Sequence, residues 1–492
     1  PLTYTAAFEK GWTPSTLIWD VPSEFPPSGD ENDTRDPYIP VNYDGKFHGP
    51  VTVRSALANS YNIPAVKTLN FVGIYDDPTT SEEEGFLAFA KRMGITTLDR
   101  NDYGLALTLG GGEVTVLDMT SAFSVFANEG VRYEPVAITK ILDYAGNVIY
   151  EAGEPVGNQV IRADHAYLIT SILSDNVART PMFGANSVLN LSFPAAVKTG
   201  TTNDYKDNWT VGYTPDLAVG VWVGNADNSS MSGTSGITGA APIWAEFMEQ
   251  VIPYYTNNNP TSFTRPAEIE EFVICAISGT KPSDKCPTQK TEIFAKDQPP
   301  LDADEDLWKT VEIDTWTNLR ASEECGDDFT DTELTLNVTD KWAIKWIEEN
   351  DTGQAWAESL GFSDPVVFTP SRACKSSDSR PTLEFSGLSD GQTIYASQLE
   401  VYAIVNASSD FRRFYLDYGI GEKPKEWTRI VPKGGSPSGS PQLLTTWDIS
   451  SFSQGTVTLR LVMESTKGGS AVRTIHINLM PQIGRASCRE RV

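Results

Sequence analysis

Residues 195–225 read AAVKTGTTNDYKDNWTVGYTPDLAVGVWVGN. This stretch contains three apolar runs, at 195–202, 208–213 and 217–224, with polar turn residues between them. Consecutive apolar runs that are separated by Asn, Asp and Pro are typical of antiparallel strands joined by short turns. The stretch therefore predicts neighbouring strands of one antiparallel sheet.

The first of these strands carries chemistry in its sequence, Lys198-Thr199-Gly200-Thr201-Thr202. A glycine within a strand lets another backbone come close, so an extended peptide can lie along the strand edge. Threonine hydroxyls and a lysine ammonium beside that edge can hold a terminal carboxylate and stabilise negative charge. A Lys-Thr-Gly tripeptide alone is a weak signal, and an ordinary strand with a surface lysine is the alternative interpretation.

A second motif, Ser-x-Asn, occurs twice, at Ser60-Tyr61-Asn62 and at 174–176. The later copy lies only 24 residues before Lys198, and helix capping explains its Asp and Asn. The earlier copy follows a predicted helix and leaves room for further helices before the strands. We therefore expect Ser60 and Asn62, and not the residues at 174–176, to face Lys198.

Helices accompany the strands throughout residues 1–252, which predicts an α+β domain with an antiparallel sheet. One helix is expected at Val114–Asn128, where Thr115 and Asp118 form a possible capping box. Another is expected to start at Pro50, since proline fits the first helical position, and to end near residue 59.

The composition changes after residue 252. Residues 253–377 become rich in Asn and Pro and then acidic, which predicts a Cys-containing connector with one amphipathic helix around Trp342–Glu349. Residues 378–481 show short alternating runs with regular turns, as in a small β-sandwich. Residues 482–492 are interpreted as a translated sequencing-adapter artefact and are left out of the fold prediction.

None of the five cysteines lies in a C-x-x-C pair of the kind that zinc and redox motifs use. The sequence-local disulfides would be Cys275–Cys286 and Cys325–Cys374, and buried free thiols are the alternative. Cys488 belongs to the adapter sequence. The three histidines lie far apart without carboxylates at ligand spacing, so we expect no metal and no cofactor; they are His48, His165 and His476.

The net charge of −27 argues against a nucleic-acid partner, because such binding needs clustered Lys and Arg that neutralise phosphates. No apolar run reaches the roughly 18 residues that a membrane helix requires. The first residue is Pro1, without a signal-peptide pattern after it, and we expect that the chain begins inside a longer protein.

Three segments resemble the transpeptidase domain of class A penicillin-binding proteins: GPVTVRSALANSYNIPAVKTL at 49–69, LTLGGGEVTVLDMTSAFSVFANEG at 107–130, and the strands at 195–225. The resemblance covers roughly residues 1–250. Members of this family carry S-x-x-K, S-x-N and K-[ST]-G in that order. The resemblance implies a penicillin-binding peptidoglycan D,D-transpeptidase that cross-links stem peptides on the extracytoplasmic face of the bacterial membrane. Its partners would be stem peptides and β-lactams, and its membrane anchor would precede this chain.

Residues 1–11, PLTYTAAFEKG, resemble the segment that follows S-x-x-K in the family. The resemblance thus implies that the nucleophilic serine and its lysine immediately precede Pro1, and that this fragment is inactive. The S-x-x-K sequence at 278–281 follows K-T-G, lies between cysteines and is read as a decoy.

The resemblance also implies roles for the remaining site residues. Ser60 would relay a proton and Asn62 would bind the substrate amide, while Lys198 would supply electrostatic help. Thr199 and Thr201 would hold the terminal carboxylate, and the Thr201 N–H would form half of an oxyanion hole.

Other readings stay open at this point. A D,D-carboxypeptidase or a β-lactamase relative would pass the acyl group to water, and a β-lactam sensor or wall-binding protein would not catalyse at all. The C-terminal module is similar to immunoglobulin-like or fibronectin type III-like sandwiches, which either bind wall polymer or act as spacers.

Overall fold

The computed structural model describes residues 1–77, 79 and 85–480. Residues 481–492, with the predicted adapter sequence and Cys488, lie outside the described residues. The helices are α1 Leu2–Glu9, α2 Val53–Asn59, α3 Asn62–Val72, α4 Phe86–Arg92, α5 Val116–Ala127, α6 Ala163–Leu173, α7 Asn176–Phe183, α8 Ala240–Tyr255, α9 Lys341–Glu349 and α10 Asp351–Ser359.

The strands before residue 309 and just after it are β1 Leu17–Asp20, β2 Gly49–Thr52, β3 Val131–Arg132, β4 Lys140–Leu142, β5 Val148–Glu151, β6 Asn158–Gln159, β7 Ala196–Thr201, β8 Asp207–Tyr213, β9 Ala218–Gly224, β10 Ile269–Cys275, β11 Gln289–Ala295 and β12 Trp308–Asp314. The later strands are β13 Leu319–Arg320, β14 Thr330–Leu336, β15 Pro381–Ser386, β16 Gln392–Ile394, β17 Gln398–Ala407, β18 Phe411–Ile420, β19 Thr428–Gly434, β20 Ser438–Asp448, β21 Gly455–Ser465 and β22 Ser470–Leu479.

The chain divides into two compact units. The first contains Pro1–Trp308 and Val338–Pro365, and the second contains Lys309–Asn337 and, among the described residues, 366–480. The segment 253–377, which was expected to be a connector, holds strands β10–β14 and helices α9 and α10. The domain boundaries given in the sequence analysis stay a prediction.

The first unit has the α+β fold that the sequence predicts, with an antiparallel sheet ordered β7-β8-β9. Helices α5 and α6 pack on one face of this sheet and α8 packs on the other. Helix α1 is buried from Leu2 to Phe8 and packs against α3, α4 and α6. Such a helix, without a polar face, belongs to the interior of a domain.

Strand β7 lies at the edge of the sheet, since β8 is its only partner in the described residues. Side chains alternate between the two faces along a strand. Ala196 packs in the core on the α5 and α6 side, whereas Val197 packs in the cluster around α8. Lys198 therefore points to the same side as Ala196, toward the helices that precede the sheet in sequence.

The helix predicted from Pro50 begins later than expected. Residues Gly49–Thr52 form β2, with Pro50 opposite Trp19 of β1, and the helix starts at Val53. Thr52 accepts the N–H of Ser55 and caps this helix. The prediction was wrong because proline also fits a two-stranded ribbon, where its missing N–H leaves only an outer edge unpaired.

Other local predictions are confirmed. Helix α5 starts after Thr115, whose hydroxyl accepts the Asp118 N–H at 3.0 Å. The amphipathic helix expected near Trp342–Glu349 is α9. Cysteines 275 and 286 form one disulfide, and cysteines 325 and 374 form the other.

The second unit contains two facing sheets. A three-stranded sheet, β15-β17-β20, and a five-stranded sheet, β16-β22-β21-β18-β19, contribute apolar side chains to one core. A smaller sheet, β13-β12-β14, belongs to the same unit. In the described part of the chain, no helix is both long and apolar enough to cross a membrane.

Candidate active site

Lys198 and Ser60 meet in the first unit. The Lys198 Nζ donates a hydrogen bond to Ser60 Oγ at 2.5 Å and another to the Thr199 carbonyl oxygen at 2.8 Å. The two motifs that were singled out in the sequence are therefore in direct contact, although 138 residues separate them. A lysine that donates to a serine hydroxyl can move a proton to and from that oxygen.

The electrostatic environment of Lys198 favours loss of its proton. Burial, and then the positive charge of Arg179, lower the pKa of Lys198 to about 8. Arg179 is itself buried on α7, where its guanidinium donates to the Leu173 carbonyl oxygen. Burial lowers the pKa of Arg179 to about 10. The sequence analysis missed Arg179, because no motif marks it and only the tertiary fold brings it near Lys198.

Ser60 is held by the end of α2. It adopts a left-handed backbone conformation, with φ 60° and ψ 37°, which is uncommon for a residue other than glycine. The preceding residue, Asn59, is buried and ties α2 to α7: its amide donates to the Ala178 carbonyl at 2.8 Å and accepts the Met182 N–H at 3.1 Å. This anchoring holds the Ser60 hydroxyl toward Lys198.

Asn62 is the first residue of α3 and lies two positions beyond Ser60. Its side-chain amide donates to the Val41 carbonyl oxygen at 2.8 Å, and its backbone N–H donates to Asn42 Oδ1 at 2.8 Å. The structure thus brings Ser60 and Lys198 into direct contact, while the Asn62 amide is engaged with the segment before β2.

The hydroxyl groups of Thr199, Thr201 and Thr202 differ in their hydrogen-bond partners. Within the described residues, the Thr199 hydroxyl makes no hydrogen bond. The Thr201 hydroxyl accepts the Gly236 N–H at 2.9 Å, which leaves its own hydrogen free to donate. Thr202 closes the β7–β8 turn, since its hydroxyl donates to Asp207 Oδ2 and accepts the Asp207 N–H, both at 2.9 Å.

Gly236 lies directly on the Lys-Thr-Gly strand. A Cβ atom at this position would lie 2.5 Å from the Gly200 carbonyl oxygen and 2.8 Å from that of Trp209. Only glycine allows so close an approach between the loop and the strand. The loop before α8 therefore packs onto β7 beside Thr201, a contact that the sequence analysis did not foresee.

The start of α1 lies close to Lys198. Burial, and then the charge of Lys198, lower the pKa of the Pro1 amino group to about 4. The first turn of α1 contacts the segment before α5, because the Thr3 and Thr108 hydroxyl oxygens lie 2.9 Å apart. The start of α1 is therefore held by that segment, near Lys198.

The second Ser-x-Asn motif has the structural role that the sequence predicted. The Ser174 hydroxyl donates to the Thr170 carbonyl oxygen at 2.8 Å, at the end of α6. The Asp175 carboxylate accepts the Ala178 N–H at 2.9 Å and caps α7.

The S-x-x-K sequence after the sheet is also structural. Ser278 is buried and shares a hydrogen bond with the Thr280 hydroxyl at 3.0 Å. Lys281 forms an ion pair with Asp302 at 2.6 Å. Serine and lysine thus have separate partners, so they do not form a nucleophile and its base.

Two groups of the described residues bring possible metal-ligand atoms together: Cys275, Cys286 and Asp306, and Asp314, Cys325 and Cys374. In each group the two cysteines are joined in a disulfide, so they offer no thiolate to a metal ion.

Comparison with known proteins places this geometry in a family. The family model "Penicillin binding protein transpeptidase domain" matches residues 1–249. Penicillin-binding protein 1A of Neisseria lactamica is 34% identical over 255 residues, which cover 50% of this chain and 30% of that protein. Penicillin-binding protein 2D of Bacillus subtilis is 30% identical over 308 residues, which cover 61% of this chain and 41% of that protein.

A solved structure supports the fold. The crystal structure of penicillin-binding protein 1A from Haemophilus influenzae matches with a TM-score of 0.52 and 26% identity, covering 61% of this chain and 47% of that one. The chain therefore spans less than half the length of these relatives. Because the family model covers half of the chain, from α1 through the β7–β9 sheet into α8, the chain belongs to the penicillin-binding protein transpeptidase family.

Proposed function

We propose that this chain is part of a class A-like penicillin-binding protein, a serine-type D,D-transpeptidase that cross-links peptidoglycan stem peptides. The observation that carries the proposal is the 2.5 Å hydrogen bond from Lys198, on the edge strand β7, to Ser60. Peptide substrates bind sheet edges by adding a strand, and the reacting carbonyl of such a strand would come close to Lys198 and Ser60.

The substrate-binding role falls to the strand with the Lys-Thr-Gly sequence. The free Thr199 hydroxyl and the Thr201 hydroxyl hydrogen would hold the carboxylate of the terminal D-Ala, and Thr202 would keep the end of the strand in place. Gly200 leaves room for the substrate backbone. The Thr201 N–H would donate to the oxyanion that forms at the reacting carbonyl.

The nucleophilic serine and its lysine are proposed to lie immediately before Pro1. One observation supports this proposal: the Pro1 nitrogen is buried and the Lys198 charge acts on it, so the start of α1 lies near Lys198. A residue that precedes Pro1 would thus be close to Ser60 and Lys198. The chain from Pro1 onward would then hold the cleft without its nucleophile.

The proposed reaction has two steps. The serine oxygen attacks the penultimate D-Ala carbonyl carbon, the C–N bond to the terminal D-Ala breaks, and the serine proton passes to the leaving amine. The lysine that precedes Pro1, or Ser60 with Lys198, would carry that proton, and Asn62 would orient the substrate amide. An amine of a second stem peptide then attacks the ester, and the serine regains its proton as the new amide forms.

A covalent-labelling experiment tests the position of the nucleophile. The chain from Pro1 onward and a chain extended upstream by its natural coding sequence are incubated with a labelled penicillin and analysed by mass spectrometry. We expect an adduct on an upstream serine of the extended chain and none on the shorter chain. A stable adduct on any serine after Pro1 would contradict the proposal.

The fate of the acyl group separates the transpeptidase from the alternatives. With the extended protein, a stem-peptide donor and an acceptor amine, we expect a cross-linked product. Hydrolysis alone would indicate a carboxypeptidase or β-lactamase relative, and a stable adduct without turnover of stem peptide would indicate a sensor. The proposed partners are stem peptides and β-lactams, at the outer face of the membrane, with the anchor in the part that precedes this chain.

We also propose the predicted domain scheme for the rest of the chain: a disulfide-containing connector at 253–377 and an immunoglobulin-like or fibronectin type III-like sandwich at 378–481. The facing sheets with one shared core support the sandwich. A wall-polymer pull-down with the second unit's residues separates a binding module from a spacer.

A further inference from the structure

Helix α3, which begins with Asn62, lacks a cap from its own neighbouring residue. Tyr61 occupies the capping position without making a side-chain hydrogen bond. The Asn42 side chain supplies the acceptor instead, because its Oδ1 accepts the N–H of Asn62 at 2.8 Å and faces that of Ile63 at 3.4 Å. The first N–H groups of a helix need such acceptors, and here a residue outside the helix provides one.

Asn42 is itself fixed in one orientation. Its Nδ2 donates to both carboxylate oxygens of Asp20, at 2.9 and 2.7 Å, and to the Lys46 carbonyl oxygen at 2.8 Å. Asn42 is 4% exposed and Asp20 is fully buried. Since the backbone N–H groups of α3 only donate and the Lys46 carbonyl only accepts, the amide oxygen must face α3 and the amide nitrogen must face Lys46 and Asp20.

The same carboxylate holds a second residue against the Ser-x-Asn motif. The His48 Nδ1 lies 2.5 Å from Asp20 Oδ2, and the His48 backbone N–H donates to that oxygen at 3.1 Å. The His48 ring stacks on Tyr61, with 3.9 Å between ring centres and 17° between planes. Asp20 therefore fixes both the group that caps Asn62 and the ring that covers Tyr61.

We propose that Asp20, Asn42 and His48 form a positioning network that sets Ser60 and Asn62 relative to Lys198 for acyl transfer. The inference rests on the proposed function of these three site residues. Asn59 anchors the residue before Ser60 to α7, and the network anchors the residues after it at the start of α3. The left-handed turn at Ser60 is therefore fixed from both ends. The three network residues act through the motif and are not themselves catalytic.

The test uses the upstream-extended protein and replaces Asn42 with leucine, which has a similarly branched but larger side chain and removes the cap. Displacing a reacting group by about an ångström costs up to about a hundredfold in rate, so we expect acylation by a fluorescent penicillin to slow by about ten- to a hundredfold. Amide hydrogen exchange at Asn62 and Ile63 should accelerate in the same variant. The control is Asn350→Leu, which removes an asparagine cap from Thr352 on α10 and should leave acylation unchanged.

Exchanging the carboxylate at position 20 with the amide at position 42 tests whether the acylation rate can be restored. Asn42→Asp alone places two carboxylates together, and Asp20→Asn alone places two amides together, so each should impair acylation. The double variant Asp20→Asn with Asn42→Asp restores an amide donor facing a carboxylate and keeps an acceptor for the α3 N–H groups. It loses the donor to the Lys46 carbonyl oxygen, so the rescue should be partial. We expect the double variant to acylate faster than either single variant.

The outcomes distinguish the two proposals. An unsubstituted extended protein that is not acylated means that the proposed function itself has failed. If that protein is acylated and Asn42→Leu matches its rate despite faster exchange at Asn62, the positioning inference is overturned. Slower acylation without faster exchange at Asn62 and Ile63 also overturns it. If Asn42→Leu does not fold, the double variant decides, and a double variant no faster than the single ones counts against the network.

Discussion

Lys198 is the residue whose charge should control the pH dependence of the proposed reaction. Its pKa is lowered to about 8, so its ammonium is lost as the pH rises through that value. If the charge stabilises the developing oxyanion, acylation of the extended protein by penicillin should decline above about pH 8. Arg179→Met removes a nearby positive charge, which should raise the pKa of Lys198 and move the decline to higher pH. Stopped-flow acylation rates between neutral and alkaline pH measure both effects.

Arg35→Met provides the matched control for Arg179→Met. Arg35 is exposed and bonds to Asp33, away from the site, so the pH profile should stay unchanged in this variant. An Arg179→Met profile that coincides with the parent profile would contradict the electrostatic role of Arg179.

Gly236 is a second residue at which one added carbon atom should change stability and acylation. A Cβ at this position would meet backbone oxygens of Gly200 and Trp209, which cannot rotate away. Overpacking of this kind typically costs about 1–3 kcal/mol of unfolding free energy, and the displaced loop would also release Thr201. We expect Gly236→Ala to lower the thermal midpoint and to slow penicillin acylation of the extended protein.

Gly153→Ala is the control for Gly236→Ala, since a Cβ at Gly153 has no atom within 4 Å. It should leave the thermal midpoint and the acylation rate near their parent values. If Gly236→Ala and Gly153→Ala have the same thermal midpoint and the same acylation rate, the loop before α8 does not pack tightly against β7.

At the scale of residues, the sequence was sufficient to predict that Lys198 and Ser60 lie together, because each belongs to a short motif of defined spacing. It also separated Ser60 from Ser174, whose neighbours have the pattern of a helix cap. The sequence did not predict that Arg179, Asn42 and Gly236 lie near the site. Their roles depend on contacts between segments far apart in sequence, and their own neighbours give no sign of those contacts.

At the scale of elements, α9 is tied to α3 through Asp340. This carboxylate accepts the N–H groups of Trp342 and Ala343 at 2.9 and 3.1 Å, and it pairs with Lys67 of α3 at 2.6 Å. Asp340→Asn keeps an acceptor for the cap and loses the charge, whereas Asp340→Ala loses both. Loss of a helix cap costs about 1 kcal/mol, and Lys67, only 11% exposed, would be left without its counter-charge. Urea denaturation should therefore rank stability as parent, then Asp340→Asn, then Asp340→Ala.

Asp351→Ala at the start of α10 is a suitable comparison, because Asp351 is exposed and Asn350 caps that helix. Its unfolding midpoint should stay close to that of the parent. If the Asn and Ala variants at 340 unfold at the same urea concentration, the cap contributes nothing measurable.

The elements that the sequence predicted well have strong local signals. The three strands around Lys198 are separated by turn residues, and α5 follows a capping box. The false helix start at Pro50 arose because a proline suits both a first helical turn and a short ribbon. The partner that decides between them, β1, lies about 30 residues earlier. Strands β10–β14 were not predicted because their apolar residues alternate with charged or polar ones inside a segment whose overall composition is acidic and rich in Pro.

At the scale of the whole molecule, the chain passes from the second unit into the first and back. It leaves at residue 337, forms α9 and α10 within the first unit, and returns at residue 366. The disulfide between Cys325 and Cys374 joins the outgoing and returning segments, and the bridge between Leu336 and Phe368 joins them again. This disulfide therefore closes a loop around the whole helical pair.

The two disulfides should differ in their contribution to stability. Loop-closure entropy predicts that the disulfide across 49 residues stabilises by about 4 kcal/mol and the one across 11 residues by about 3 kcal/mol. The double variant Cys325→Ser with Cys374→Ser should thus lose more unfolding free energy than Cys275→Ser with Cys286→Ser. It should also make residues 338–365 more sensitive to limited proteolysis, because this disulfide is the covalent link at the base of their loop. Equal proteolysis of that segment in both double variants would mean that contacts such as Lys67–Asp340 alone keep α9 and α10 in the first unit.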